Sequence, residues 1–360
     1  MSDEQVWTAN FTDPDGNPLS EEELAEVGIT GVKEIPVKPD ETLQVTPGMN
    51  PNGTYAKSKG GTEIMAERIQ EALAESGCED KINIIHSRVR EIDPDKKNIY
   101  VVHDTWRDPE CGHLKIEEDR KRFDKIVFVS NQQMQSFHMG LNVPYSESLI
   151  MKNAIDPIEL TEPKPTGKIN LIYHTTPHRG LELLVPAFEY MCERYPDIDL
   201  HLDVYSSFKI YGWDERDQQY AGLFDKLNEH PQATYHGYQP NSVVREALKK
   251  AHIFAFPNIW PETSCIAAIE AMSAGCDVVC PNFEALPETT GGFATEYQYS
   301  ENAQEHLNTF ASALDWSINN INNEYTQGKL QAAKQVTDNQ YNWPARKMQW
   351  INFFKQLCSE

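Results

Sequence analysis

Between residues 168 and 280, five short apolar runs alternate with stretches of helical periodicity, and this alternation limits the fold more than any other feature of the chain. The runs cover residues 168–174, 199–206, 233–237, 253–257 and 277–280. Helical patterns at about 180–194, 215–229, 241–251 and 264–274 separate them. Short runs that are apolar throughout belong to strands buried on both faces, and strand–helix alternation builds a parallel sheet with helices on both sides. Pro186 falls inside the first of these helices, where proline removes a backbone bond; the sequence leaves open whether the long helix starts near it.

The same grammar appears upstream. Residues 62–76 read as a helix, with Ile64, Met65, Ile69 and Leu73 on one face. The runs at 81–86, 98–103 and 125–130 read as strands, 131–139 as a helix and 148–152 as a further strand. The stretch 162–167, Glu-Pro-Lys-Pro-Thr-Gly, reads as a linker. Helical patterns at 303–325, 328–337 and 344–357 close the chain. The division is an acidic extension at 1–50, a domain at 51–160, a second at 161–340 and a terminal helix at 341–360. In parallel sheets, ligands bind at the carboxyl ends of the strands, here in the cleft between the halves. The extension carries a turn cluster at 13–18, a capped helix start at Ser20 and a weak strand at 42–45.

Charge and cysteine usage narrow the partners. With 32 Lys+Arg against 55 Asp+Glu, the net charge of −23 disfavours nucleic acid and anionic membranes. Seven cysteines, an odd number without a C-x-x-C pair, suggest neither a disulfide framework nor structural zinc, and fit a reducing cytoplasmic setting. No run reaches the roughly 18 apolar residues of a membrane span, and the first residues lack the pattern of a secretory signal.

The chemistry concentrates in residues 253–281. A strand runs into a loop ending at Pro261-Glu262, and a helix carrying Glu270 follows, closed by Gly275. Eight residues of helix separate the two glutamates by about 12 Å, the span from a sugar across a diphosphate to a ribose. Between them Thr263, Ser264, Cys265 and Ile266 form a helix N-terminus, whose free N–H groups suit phosphate. Two glutamates at this spacing also fit an ordinary amphipathic helix; the surrounding residues decide.

The ordered set Glu262, Glu270-Ala271-Met272-Ser273-Ala274-Gly275 and Val278-Val279 resembles the signature of retaining glycosyltransferases of family 4, which have the GT-B fold. The likeness extends to Tyr235-His236-Gly237, to Leu286-Pro287-Glu288-Thr289-Thr290-Gly291-Gly292, and over roughly residues 58–358. It implies two Rossmann-like parallel-sheet domains facing a cleft, with a C-terminal helix crossing back to the first. It implies transfer of a sugar from a nucleoside-diphosphate sugar, UDP- or GDP-linked, to an acceptor hydroxyl with retention and without a metal.

Residue by residue, the resemblance places Glu262 on the donor sugar, Glu270 on the ribose and Arg179 on the diphosphate. It places His103 on the sugar or its developing charge. Gly60, Gly61 and Thr62 match the family's Gly-Gly loop, where glycines allow close backbone approach to a sugar-phosphate. Tyr238, after the His-Gly turn, is a candidate for the nucleobase. Two departures stand out. Tyr173 occupies the place of a second phosphate-binding arginine, leaving His174 or His178 as its replacement, and Cys265 stands where the family often has glycine. His103, Asp108, Glu110 and His113 match no metal-site spacing, and no metal is expected. Residues 117–124 read as a solvated mixed-charge helix. The acceptor is not legible. An epimerase or hydrolase of the same fold, or a non-catalytic sugar-nucleotide binder, remains the alternative.

Overall fold

The structure, a computed structural model, describes residues 53–54 and 58–359. The expected acidic extension at 1–50, with its helix start at Ser20 and strand at 42–45, lies outside the described residues. The first domain runs α1 (Gly61–Ser76), β1 (Ile82–His86), β2 (Lys97–Val102), α2 (Glu117–Arg120), β3 (Lys125–Phe128), α3 (Asn131–Leu141) and β4 (Ser148–Ile150). Its four strands pair in parallel in the order β1-β2-β3-β4. Side chains of β2 alternate between two cores. Ile99 and Val101 meet Met65, Ile69 and Leu73 of α1; Tyr100 and Val102 meet Phe137 and Leu141 of α3.

The second domain continues with β5 (Lys168–Tyr173), α4 (Leu181–Arg194), β6 (Asp199–Val204), α5 (Ala221–Glu229), β7 (Ala233–Tyr235), α6 (Asn241–Leu248), β8 (Ile253–Ala255), α7 (Ile266–Ser273), β9 (Asp277–Pro281), α8 (Leu286–Thr290) and β10 (Thr295–Tyr297). Its six strands are all parallel, in the order β10-β9-β8-β5-β6-β7. The order reverses direction beside β5 and β8, which is where a crevice opens at the strand ends. Helix α4 continues through Pro186. Helices α9 (Ala303–Asn320) and α10 (Glu324–Gln340) start at Asn302 and Asn323, whose side chains accept from the amides of Glu305 and Thr326. The last helix, α11 (Trp343–Ser359), leaves the second domain and lies on α1, burying Trp343, Trp350, Ile351, Phe354 and Leu357 in the first domain's core.

Three expectations are corrected. Residues 215–229 are not one helix: a 3-10 segment, Asp214–Tyr220, precedes α5, because the Asp217 carboxylate turns back to hold the amide of Phe208 and the hydroxyl of Ser207. Strand β10, only three residues long, carries no legible period. The stretch 117–124 is not solvated throughout. Only Glu117–Arg120 is α-helical, and Arg120 is buried, its Nε 2.7 Å from Glu147 and its Nη1 donating to the carbonyl of Leu114.

The domains are joined by a carboxylate placed at a helix start. Glu288 of α8 accepts from the amides of Asn131 (3.1 Å) and Gln132 (2.9 Å) at the N-terminus of α3, and from Lys152 at 3.0 Å. Burial works to raise its pKa, but these donors outweigh burial and hold it below the ordinary value. Its contribution to stability is therefore complete above the ordinary carboxylate range and lost as pH falls through the lower native value. Glu288→Gln is expected to cost about 1 kcal/mol at pH 7 and almost nothing near pH 3. Urea titrations at both pH values check this; an equal difference at both would contradict it.

Candidate functional site

The site is built at the carboxyl ends of β5 and β8. After β5, the 3-10 turn Pro177–Arg179 ends at Gly180, whose φ of +108° is a glycine conformation. A Cβ there would lie 2.0 Å from the Pro257 carbonyl oxygen, so the two strand-end loops touch only because residue 180 has no side chain. On the β8 side the fully buried Asn258 brackets Trp260, donating to its carbonyl at 2.6 Å and accepting from its amide at 3.1 Å. This fixes the approach to Glu262. Arg179 Nε then donates to Glu262 Oε1 at 2.7 Å, and Nη1 donates to Thr176 Oγ1 at 3.0 Å. Burial raises the pKa of the Glu262 carboxyl, while Arg179 works against that rise. The cation and carboxylate expected to hold diphosphate and sugar are thus one buried pair.

The start of α7 reaches across the cleft. Thr263 Oγ1 donates to the His103 carbonyl at 2.8 Å, and the Thr263 carbonyl accepts from Ser130 Oγ at 2.7 Å. The Ser264 carbonyl accepts from Asn153, and Ile266 packs against the first domain's core and against Gly61. Cys265 takes the N-cap position. Its sulfur faces the amides of Ala268 and Ala267, two of the donors that a phosphate would use, and burial pushes the thiol's pKa up. Side chains at this helix start thus serve contact between the domains more than an open phosphate cradle.

His103 follows β2 directly, as expected. Its Nε2 lies 3.2 Å from Nδ1 of His86 at the end of β1, and the rings stack at 5.5 Å. Burial lowers its pKa to about 4, so both imidazoles are neutral at pH 7. One N–H lies between them, and whichever ring supplies it fixes the other's tautomer. Sequence reasoning missed His86: a histidine inside an apolar run carries no signal of its own.

Glu270 is 5% exposed, so its partners matter. Arg245 Nη1 donates to it at 2.9 Å, and Asn241 Nδ2 reaches both oxygens at 3.1 and 3.2 Å. Burial raises its pKa and Arg245 opposes that. Tyr173, in place of the family's second arginine, is fully buried and donates to the Thr176 carbonyl, so it supports the turn that carries Arg179. Among the buried polar atoms left without a partner are His174 Nε2, Thr175 Oγ1 and His178 Nδ1, all beside that turn. His178 stacks on Phe208 at 5.1 Å and meets the edge of Trp260 at 4.6 Å. Burial lowers the pKa of both histidines, so neither supplies the missing charge at pH 7.

Tyr238 follows the edge strand β7, beyond Gly237 with its φ of +60°. Three strand spacings separate β7 from β8, about 14 Å, so Tyr238 stands well away from Glu262. The four groups weighed as a metal set point elsewhere: Asp108 pairs with Arg88, Glu110 with Arg90, and His113 with Arg122, leaving His103 on His86. No cluster of three or more metal-ligating side chains occurs among the described residues.

Two parallel-sheet domains facing a cleft, with a terminal helix crossing back, define a GT-B fold of the glycosyltransferase kind. Residues 158–320 match the family of glycosyl transferases group 1. The catalytic-type relative in human, a phosphatidylinositol N-acetylglucosaminyltransferase polypeptide, is 26% identical over 144 residues, 39% of this chain and 28% of that protein. The chain thus matches under a third of this curated relative's length. A glycosyltransferase from Rickettsia africae superposes with a TM-score of 0.61 at 14% identity, covering 94% of this chain and 87% of that one. Anabaena HepE, crystallised with UDP-glucose, superposes with a TM-score of 0.56 at 12% identity, covering 72% of each chain. Among the described residues, no helix is long and apolar enough to cross a membrane.

Proposed function

We propose that the chain transfers a sugar from a nucleoside-diphosphate sugar to an acceptor hydroxyl with retention of configuration. The observation that carries this is the buried Arg179–Glu262 pair in the crevice at the ends of β5 and β8, inside the stretch that matches glycosyl transferases group 1. A leaving diphosphate gains charge in the transition state, and a fixed guanidinium stabilises that charge in a dry site. Arg179 is already oriented by Glu262 and Thr176, which lowers the reorganisation needed at that moment. A donor sugar entering here would share Glu262 with Arg179, its hydroxyls donating to the carboxylate without leaving an unpaired buried charge. His103 lies at the opposite wall, tied to Thr263. A UDP-linked donor is favoured by the UDP-glucose complex of HepE.

A second reading, binding without turnover, is favoured by Glu270. Both of its oxygens are engaged by Asn241 and Arg245, so a ribose must compete for them. A panel of UDP-, GDP- and ADP-sugars, with and without EDTA, separates the readings. Nucleoside-diphosphate release from one donor, unchanged by EDTA, is expected. Binding without release on the whole panel would support the second reading, and neither would sink both.

A further inference from the structure

We propose that Tyr211 is a positioning residue that couples closure of the cleft on Gly60 to the orientation of Arg179. This rests on the reading that Arg179 faces the donor's diphosphate. Tyr211 ends the 3-10 segment Phe208–Tyr211 that follows β6. The segment is held rigidly: Ser207 Oγ accepts from the Lys209 amide, Asp217 accepts from the Phe208 amide, and Gly212 turns the chain at φ +75°. Trp213 supports the Tyr211 ring at 5.2 Å.

From this position the segment touches both domains. The Lys59 amide of the first domain donates to the Ile210 carbonyl at 2.7 Å. On the other side, Arg179 Nη1 lies 3.5 Å from the Tyr211 hydroxyl, which accepts from it. Between these contacts the Tyr211 ring covers Gly60. A Cβ on residue 60 would stand 2.6 Å from Cε1 and 3.3 Å from Cδ1 of that ring.

The backbone of Gly60 does not call for glycine. It is the N-cap of α1 at φ −71°, ψ 180°, a conformation open to any residue. Ser, Thr or Asp there would add a side-chain cap to the helix, and Gly60 forgoes it. What the absent side chain provides is room for the ring. Gly60 is therefore glycine for Tyr211, a reason different from close approach to a substrate.

The test is a double-mutant comparison of Gly60→Ala, Tyr211→Ala and the pair, with two readouts. One is exchange of the Lys59 amide, which needs no substrate; the other is donor turnover. Gly60→Ala is expected to speed Lys59 exchange and to lower turnover, each about tenfold. The double variant is expected to be no worse than Tyr211→Ala alone, because the added methyl no longer meets a ring. Tyr211→Phe is expected to leave Lys59 exchange unchanged and to raise the donor KM about threefold. Effects of Gly60→Ala and Tyr211→Ala that multiply in the double variant would overturn the proposal. An unchanged KM in Tyr211→Phe would overturn its link to Arg179. If no donor is turned over, the sugar-transfer reading fails, yet the exchange data still decide whether Gly60 and Tyr211 form one contact.

Discussion

Arg179→Ala is expected to lower donor turnover by about 10²–10³-fold, the scale on which a single preorganised donor to a developing anion acts. The loss should fall on kcat more than on KM, because the charge that Arg179 meets is largest after bond cleavage begins. The same change has a second, independent signature. Glu262 would remain buried without its cation, and burial already pushes its pKa upward. A carboxyl whose native pKa is raised binds more protons in the folded state, so its folded form loses stability as pH rises. Relative to the wild type, Arg179→Ala should therefore lose stability between pH 5 and pH 8. Removing one partner of a buried pair costs about 3–5 kcal/mol where the other stays charged. Protonation of Glu262 sets the lower bound on that cost at acid pH. Thermal unfolding at the two pH values, beside steady-state kinetics, checks both parts. A variant with normal turnover and a pH-independent loss of stability would make Arg179 a structural residue only.

Trp350→Ala is expected to cost about 3–5 kcal/mol, the range for truncating a large buried aromatic side chain. Trp350 is 1% exposed and stacks on Phe354 at 5.4 Å, in the core that α11 shares with α1. The helix comes from the far end of the chain, so the loss should appear as early unfolding of the first domain and not as uniform destabilisation. Hydrogen exchange of β1 and β2 amides reads this directly. Protection kept in those strands at a lower global stability would contradict the packing described for α11.

The strand–helix alternation made both parallel sheets legible, because an apolar run of five residues buried on both faces has few other readings. The Glu262–Glu270 stretch was legible as a site, because its turn, helix and following strand stand in fixed order. What pairs with these residues was not. Asn241 and Arg245 meet Glu270 from another helix, with Asn241 29 positions away. Glu288 caps α3 across 157 positions. Tyr211 explains Gly60 from the far side of the cleft. No period or local spacing encodes such contacts; they follow from how two separately folded sheets meet. The helix expected over 215–229 failed for a related reason, since Asp217 bonds backward to Phe208 instead of serving a helix start.

The most direct test is release of nucleoside diphosphate from the donor panel by the wild type and by Arg179→Ala in parallel. Sugar transfer predicts release from one donor by the wild type, reduced at least a hundredfold in the variant. Equal release by both proteins, or none from any donor with no binding, would contradict a donor site built on Arg179 and Glu262.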